Sequence, residues 1–302
     1  MSKKGSKANS QGKREAYKIP PMPLKYHGGK RYLAKRIIAL MPEHITYVEP
    51  FFGGGSVLLH KDPFRKAEIV SDKNGILMNF WQVLQSAEKF AKLVRLAQAT
   101  PFSEITYREA RRQLAYQDSM PRRILPDHEV TLAWWFFVVA RMSMAGRINS
   151  TFTPMTKTRT RRGMGGEVAS WLSAIEGLPL VHERLQRVQI LAGDAIEVID
   201  KTDSKDTLVY CDPPYLHPTR SSHREYGRYE MSVKQHAELL RRLRSHSGKV
   251  LLSGYHSPLY DTMLSDWRCV EFNVANHAAS GKEKRRMTEC VWINTPLAIP
   301  RS

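Results

Sequence analysis

The tetrapeptide Asp212-Pro213-Pro214-Tyr215 is the segment whose residue types and order most clearly suggest chemistry. It follows an apolar run, residues 207–211, that predicts a buried strand. The two prolines stiffen the backbone and lack N–H groups, which leaves carbonyl oxygens free to accept hydrogen bonds beside the Asp212 carboxylate. Such acceptors could hold both N–H groups of an aromatic amine and direct its lone pair at an electrophile, while Tyr215 offers a ring for stacking. The alternative is a rigid turn without a chemical role.

A second candidate segment is the glycine run Gly53-Gly54-Gly55, which comes shortly after a predicted strand at residues 46–50. Glycines in this position allow a tight turn and a close approach of the backbone to a ligand. Asp72 ends the next predicted strand and lies 17 residues beyond Gly55 (72 minus 55). An acidic residue at such a strand end can accept hydrogen bonds from ribose hydroxyls. The alternatives are an ordinary glycine turn and an Asp72 that caps the following helix.

The elements that must position these residues alternate between strands and helices. Strands are predicted at residues 46–50, 67–71, 188–191, 207–211, 249–253, 268–273 and 289–294, and helices at 76–98, 107–116, 131–144 and 232–245. This alternation predicts an α/β fold with a doubly wound, mostly parallel seven-stranded sheet. The last two strands lack a helix-length connection, so we expect an antiparallel last strand.

The alternation divides the chain into three regions. Residues 1–18 are polar and basic and are predicted to form a disordered tail. Residues 19–98 and 187–302 carry the strand and helix alternation and form the predicted catalytic domain. Residues 99–186 show helical patterns without strands, so we expect an inserted, mainly helical domain.

The charge and composition of the chain limit the classes of partner that it could bind. The 302-residue chain has 47 Lys and Arg against 29 Asp and Glu, a formal net charge of +18. Such an excess favours a polyanionic partner, nucleic acid first and an anionic membrane surface second. No apolar run approaches the roughly 20 residues of a membrane span, so we expect no membrane insertion and a cytoplasmic protein. The cysteines Cys211, Cys269 and Cys290 show no metal-ligand spacing, and neither a metal site nor a disulfide is predicted.

Five motifs in order resemble the Dam-like family (D12 class) of adenine-N6-specific DNA methyltransferases. They are LKYHGGK at 24–30, with Tyr26 where the family usually has Trp, YVEPFFGGGS at 47–56, the segment around Asp72, Gly193-Asp194-Ala195, and Asp212 to Tyr215. The closing segment at 288–294 also resembles the family's last strand. The resemblance covers residues 24–296 and implies the S-adenosylmethionine-dependent methyltransferase fold, with a target-recognition role for the inserted domain.

The resemblance also implies which residues bind the cofactor S-adenosylmethionine, with no metal required. They are Tyr26, Lys30, Glu49, Phe51, Gly53, Gly55, Asp72, Asp194, Ala195 and Asp212. Asp212 and the Pro213 carbonyl would accept hydrogen bonds from the N6 amino group of an adenine flipped out of the duplex, and Tyr215 would stack on that base. Cys211 is not expected to act as a nucleophile, because it precedes the Asp within an apolar strand.

Basic residues in two segments are the candidate contacts to double-stranded DNA, by base edge or phosphate. They are Arg147, Lys157, Arg159, Arg161 and Arg162 in the insert, and Lys284 and Arg285 in a cluster with Lys282 and Arg286 before the last strand. We expect a monomer or weak dimer in a bacterial or phage-infected cell. Two other hypotheses stay open: a catalytically silent DNA-binding relative, and methyl transfer to cytosine N4 or to RNA adenine.

Overall fold

A seven-stranded sheet forms the centre of the molecule. The computed structural model describes residues 16–26, 28–119, 124–148, 150–153, 160–191, 193–216, 229–275 and 286–294. The strands are β1 Thr46–Glu49, β2 Ala67–Val70, β3 Thr160–Arg161, β4 Met164–Gly165, β5 Val188–Ile190, β6 Thr207–Cys211, β7 Lys249–Gly254, β8 Arg268–Ala275 and β9 Arg286–Ile293. The large sheet has the order β5-β2-β1-β6-β7-β9-β8. Strands β5, β2, β1, β6 and β7 run parallel, and β9 is antiparallel to both β7 and β8. The predicted fold class and the antiparallel last strand are therefore confirmed.

Helices cover both faces of this sheet. They are α1 Ala34–Ala39, α2 Ser56–His60, α3 Gly75–Gln85, α4 Ala87–Gln98, α5 Glu104–Ser119, α6 Glu129–Met142, α7 Gly166–Leu185, α8 Ala195–Lys201, α9 Val233–Ser245 and α10 Pro258–Met263. Residues of β6 alternate between two cores: Leu208 and Tyr210 pack with α1 to α3, whereas Val209 and Cys211 pack with α8 to α10. Because both faces are covered, all five residues of β6 are buried and its sequence is continuously apolar.

One predicted helix is divided in the structure. The pattern at 76–98 predicts a single helix, but α3 and α4 are separated at Ser86, whose backbone is extended with φ −76° and ψ 121°. Ser86 donates its N–H to the carbonyl of Gln82 and its own carbonyl accepts from Phe90. The apolar spacing continues through this break because both helices pack on α6 and α7. Periodicity alone could not reveal it.

The helices of residues 99–186 share a core with the elements that flank the sheet. Phe80 of α3 stacks on Phe137 of α6 at 5.9 Å between ring centres, and Phe137 contacts Trp171 of α7 at 5.0 Å. A short antiparallel hairpin, β3 and β4, precedes α7 and was not predicted. The assignment of 99–186 to target recognition stays a prediction.

A buried ionic network joins the first described residues to the sheet. The carboxylate of Glu68 on β2 is fully buried and contacts Arg184 of α7 at 2.6 Å and Lys61 at 3.1 Å. Arg184 also donates from Nε to the hydroxyl of Tyr17, which in turn donates to the carbonyl of Leu59. Tyr17 falls in the predicted tail, of which residues 1–15 lie outside the described residues. Over the described parts of the chain, no helix is long and apolar enough to cross a membrane.

Candidate functional site

A cavity of about 680 Å³ opens at the carboxyl ends of the parallel strands. Four of its acidic residues lie at the ends of different strands: Glu49 ends β1, Asp72 follows β2, Asp194 follows β5 and Asp212 follows β6. This edge of a doubly wound sheet is where ligands bind, because the loops there leave a crevice between the helix layers. All of the predicted cofactor residues except Gly55 line the cavity. These nine residues are Tyr26, Lys30, Glu49, Phe51, Gly53, Asp72, Asp194, Ala195 and Asp212.

The glycine turn has a conformation that only glycine adopts without strain. Gly53 has φ 49° and Gly55 has φ 69°, both in the left-handed region. A Cβ atom on Gly55 would lie 2.9 Å from the ring of Phe52. On Gly54 it would lie 2.9 Å from the Cβ atom of Tyr26, so the motif at 24–30 packs directly on this turn. The turn therefore requires glycine for both its backbone angles and its packing.

Asp72 holds the glycine turn in place. Its Oδ2 accepts from the backbone N–H of Gly53 at 2.9 Å, and its Oδ1 accepts from the N–H of Asn74 at 2.9 Å. Burial raises the pKa of Asp72, and these two hydrogen bonds oppose the rise. The cap of α3 is Asn74, which accepts from Ile76 and Leu77. The alternative assignment of Asp72 as the helix cap is therefore wrong.

Glu49 is the most deeply buried carboxylate of the cavity wall, with 3% exposure. Its Oε2 accepts from the hydroxyl of Tyr47 at 2.9 Å. Burial raises the pKa of Glu49 to about 8, and the negative charge of Asp212 adds to the rise, while the Tyr47 hydroxyl and the backbone N–H of Leu58 oppose it. A carboxyl group in this state can ionise when a cation enters the cavity.

Asp212 and Tyr215 are joined to Lys30 from the first motif. The Asp212 Oδ1 lies 3.0 Å from the Lys30 Nζ and accepts from the Tyr215 hydroxyl at 3.1 Å. The Lys30 Nζ also lies 4.7 Å from the centre of the Tyr215 ring and donates to the carbonyl of Gly28. Tyr255, directly after β7, contacts the Tyr215 ring edge-on at 4.6 Å. Tyr255 was not predicted from the sequence, although its place at the end of a parallel strand was an available signal.

Asp194 lines the cavity and also caps the N-terminus of α8. Its side chain accepts from the N–H of Ile196 at 3.1 Å and caps α8, and Lys73 lies 3.4 Å from its Oδ2. Ala195 is the first residue of α8 and is buried in the cavity wall. The predicted cofactor segment 193–195 is thus brought beside Asp72, with the Ser71 hydroxyl donating to the Gly193 carbonyl.

Cys211 lies on β6 with its side chain fully buried in the core beneath α8 to α10. Burial raises the pKa of its thiol well above the usual value, and the charge of Asp212 adds to the rise. A nucleophilic cysteine needs the opposite shift, toward the thiolate. This agrees with the expectation that Cys211 is not a nucleophile.

The predicted DNA contacts are distributed over several places. Arg147 lines the cavity, and Arg161 is exposed on β3. Arg162 follows β3 and forms a two-point ion pair with Glu176 of α7 at 2.8 and 3.0 Å. The other four predicted contacts lie outside the described residues: Lys157, Arg159, Lys284 and Arg285. A DNA-binding role for these residues stays a prediction.

The sheet and its cavity define an α/β protein with a candidate ligand site at the carboxyl ends of parallel strands. The family model for D12 class N6 adenine-specific DNA methyltransferase matches residues 26–285. Because this match covers most of the chain, the protein belongs to that family. The family that the motifs indicated is therefore confirmed. The predicted enzyme class, an adenine-specific DNA methyltransferase, is confirmed at the level of the family.

Relatives from phage, archaea and bacteria agree with this assignment. A DNA N-6-adenine-methyltransferase of Escherichia phage P1 is 24% identical over 85% of this chain, which spans 32% of the length of the phage protein. The type II methyltransferase M.MjaIII of Methanocaldococcus jannaschii is 27% identical over 78% of this chain and 84% of its own. The type II methyltransferase M1.LlaDCHI of Lactococcus lactis subsp. cremoris is 26% identical over 89% of this chain and 94% of its own.

Proposed function

We propose that this protein transfers a methyl group from S-adenosylmethionine to the exocyclic N6 of a flipped-out adenine in a specific short sequence of double-stranded DNA. The observation that carries the proposal is the position of Asp212. Its carboxylate lies at the end of β6, in the wall of the cavity that Glu49 and Asp72 also line, and is held there by Lys30 and Tyr215. An acceptor for the target amine thus adjoins the space for a methyl donor.

The charge of the cavity suits a cationic cofactor. Its acidic residues outnumber its basic ones although the chain as a whole has a net charge of +18. The acidic residues are Glu49, Asp72, Asp118, Asp194, Asp212, Glu230 and Glu238, and the basic ones are Lys30, Lys73, Arg111 and Arg147. S-adenosylmethionine, when bound, supplies an electrophilic methyl group on a sulfonium, so that no metal is required for the transfer.

We assign the cofactor's three parts to three regions of the cavity. Asp72 keeps lone pairs beyond those that accept from Gly53 and Asn74, because a carboxylate has about four acceptor positions, and these are suited to ribose hydroxyls. Glu49 lies toward Asp212 and suits the cationic methionine end. The segment at 193–195, with Ala195 buried in the wall, suits the adenine ring.

The target base is assigned to the other side of Asp212. Both contacts of its carboxylate, from Lys30 and Tyr215, are made by Oδ1, so Oδ2 is the oxygen that we assign to the N6 amino group together with the carbonyl of Pro213. Lys30 covers one face of the Tyr215 ring, and we assign stacking of the base to the opposite face. Extruding the base costs a few kcal/mol, which its new contacts must offset.

The residues act chiefly by positioning. Holding the N6 nitrogen near attack distance removes much of the entropic barrier to transfer. Accepting both N–H groups aims the nitrogen lone pair away from the ring. The nitrogen gains the methyl group and loses one proton, which passes to Asp212 or to solvent.

The test is transfer of labelled methyl groups from S-adenosylmethionine to duplex DNA of mixed sequence, followed by nucleoside analysis. We expect label in N6-methyladenine, and a loss of about 10²–10³-fold or more in rate for Asp212→Ala, because one preorganised group at the reacting centre is removed. Asp206→Ala is the matched control: Asp206 is an exposed acid just before β6 and should leave the rate unchanged.

The competing hypotheses predict other results in the same experiment. Label in N4-methylcytosine, or in RNA but not in DNA, would show that the substrate is not DNA adenine and would support the corresponding alternative. Cofactor binding by calorimetry without label in any nucleic acid would contradict the proposal. If the protein binds DNA but neither binds the cofactor nor methylates any nucleic acid, it is the catalytically silent DNA-binding relative of the second hypothesis.

A further inference from the structure

A cluster of metal-binding side chains lies at the antiparallel edge of the sheet. The ligand atoms of His256, Cys269 and Cys290 all lie within 4.8 Å of one another. These residues are far apart in sequence, and their spacing predicts no metal site. They meet because β9 is inserted between β7 and β8, which places Cys290 opposite Gly254 on one side and Glu271 on the other.

The strand register explains why the side chains share one face. Cys290 pairs with Glu271, and Cys269 lies two residues before Glu271 on the same strand. Residues directly opposite each other, and residues two apart on one strand, project from the same face of a sheet. Two thiols and a carboxylate therefore point the same way, and His256, two residues beyond the end of β7, comes over them.

His256 is oriented as a metal-binding histidine is. Its Nδ1 lies 2.6 Å from the Oδ1 of Asp261 on α10, and its Nε2 lies 3.3 Å from the Oε1 of Glu271. With the Nδ1 proton donated to Asp261, Nε2, which lies on the side of Glu271, carries the lone pair that can bind a metal. A carboxylate that fixes the tautomer and direction of a ligating histidine in this way is a regular second partner in zinc sites.

The set of ligand atoms selects the metal. Two thiolate sulfurs and one imidazole nitrogen suit tetrahedral zinc, with Zn–S distances of about 2.3 Å and Zn–N distances of about 2.0 Å. The carboxylate of Glu271, 3.3 Å from the His256 Nε2, is the oxygen available as the fourth ligand. Magnesium and calcium prefer oxygen ligands throughout and are disfavoured by the sulfurs. His256, Cys269, Cys290 and Glu271 are not part of the cavity wall, so this cluster is separate from the proposed methyl-transfer site.

We propose that His256, Cys269, Cys290 and Glu271 form a structural zinc site, oriented by Asp261. The bound ion ties the segment after β7 to the β8–β9 hairpin. It thereby holds Tyr255, the residue before His256, whose ring contacts Tyr215 at 4.6 Å. The site has access to solvent for metal loading, since the side chains of His256 and Glu271 are 46% and 58% exposed.

The experiment uses the full chain without an affinity tag, because a histidine tag would bind zinc itself. The protein is incubated with zinc, separated from free metal by gel filtration and analysed for metal by mass spectrometry. We expect about one zinc per chain, as for other four-ligand structural sites. In parallel, titration with cobalt should produce the near-ultraviolet absorption of sulfur-to-cobalt charge transfer, which reports thiolate ligation directly.

Variants separate this site from incidental binding. Cys269→Ser and His256→Gln should each abolish stoichiometric zinc retention, and Asp261→Asn should weaken zinc binding by about 10–100-fold, the usual effect of losing a second partner. His128→Gln is the matched control, since His128 is an exposed histidine just before α6, and it should retain one zinc.

Three outcomes would overturn the proposal. One is a wild-type chain that holds well below one zinc after loading. Another is equal retention in His256→Gln and in the control. The third is a Cys269–Cys290 disulfide, found by peptide mass mapping in protein that takes up no metal. If a cysteine variant fails to fold, the cobalt spectrum of the wild type and the Asp261→Asn affinity still decide the question.

Discussion

The buried carboxyl group of Glu49 makes cofactor affinity dependent on pH. Its pKa is raised from 4.5 to about 8, so it is largely protonated at neutral pH. The groups around it are the Tyr47 hydroxyl on its own strand, Asp212 at the end of β6, the Leu58 N–H of α2 and the more distant Glu68 on β2. If the cationic end of S-adenosylmethionine binds the ionised form, the apparent affinity must follow the ionised fraction.

The magnitude follows from that pKa. With a pKa of about 8, the ionised fraction is about 1% at pH 6, about 10% at pH 7 and about 90% at pH 9. The apparent dissociation constant should therefore fall by about 90-fold between pH 6 and pH 9, which is about 3 kcal/mol of binding free energy. Glu49→Gln carries a neutral amide of the same shape and should lack this dependence.

Isothermal titration calorimetry on both proteins between pH 6 and pH 9 measures the effect. The ligand's own α-amino group titrates near pH 7.7–8.0 and affects both proteins alike, so the ratio of the two dissociation constants isolates Glu49. Repeating the titration in buffers of different ionisation enthalpy should reveal about 0.9 more protons released by the wild type at pH 7. A ratio that stays constant over this pH range would refute the reasoning.

The same pKa has a consequence for stability with the opposite sign. Because the folded-state pKa of Glu49 is raised, its contribution to stability is fully present below pH 4.5 and is lost as the pH rises through about 8. Glu49→Gln should therefore be more stable than the wild type at pH 9, by up to about 5 kcal/mol, and similar to it at pH 4.5. Urea denaturation without cofactor tests this independently of binding.

Two further substitutions test the packing behind the site. Glu68→Gln removes the anion between two buried cations, Arg184 and Lys61, and should lower the free energy of unfolding by about 3–5 kcal/mol. Its control is Glu88→Gln on the surface, which should change the free energy of unfolding by less than about 0.5 kcal/mol. Equal denaturation midpoints for these two variants would be incompatible with a buried ionic network. Gly55→Ala introduces a side chain at φ 69° and should cost about 1–3 kcal/mol and weaken cofactor binding. Gly75→Ala is its control, because a Cβ atom there meets nothing within 4 Å, and similar losses from both would contradict the proposed strain.

Much of the site was predictable because its residues lie in short sequence motifs that can be recognised locally. A continuous apolar strand followed by Asp212 and two prolines can be recognised without any distant partner. The glycine turn requires residues without a side chain, and Asp72 follows the next strand in the chain. The carboxyl ends of parallel strands lie along the same edge of a sheet. The alternation of strands and helices, which indicates a parallel sheet, therefore indicates that these residues lie in one crevice. The antiparallel last strand was likewise indicated by the short connection before it.

Only the tertiary structure decided which residues from distant segments touch. The ion pair of Lys30 with Asp212 joins residues 182 positions apart (212 minus 30). Tyr255 reaches Tyr215 only because β7 lies beside β6. His256, Cys269 and Cys290 come together because β9 enters between β7 and β8, an order that no local pattern specifies. Local residue types determine strands, turns and their chemistry, whereas contacts between segments depend on the free energy of packing the whole chain, which no single stretch contains.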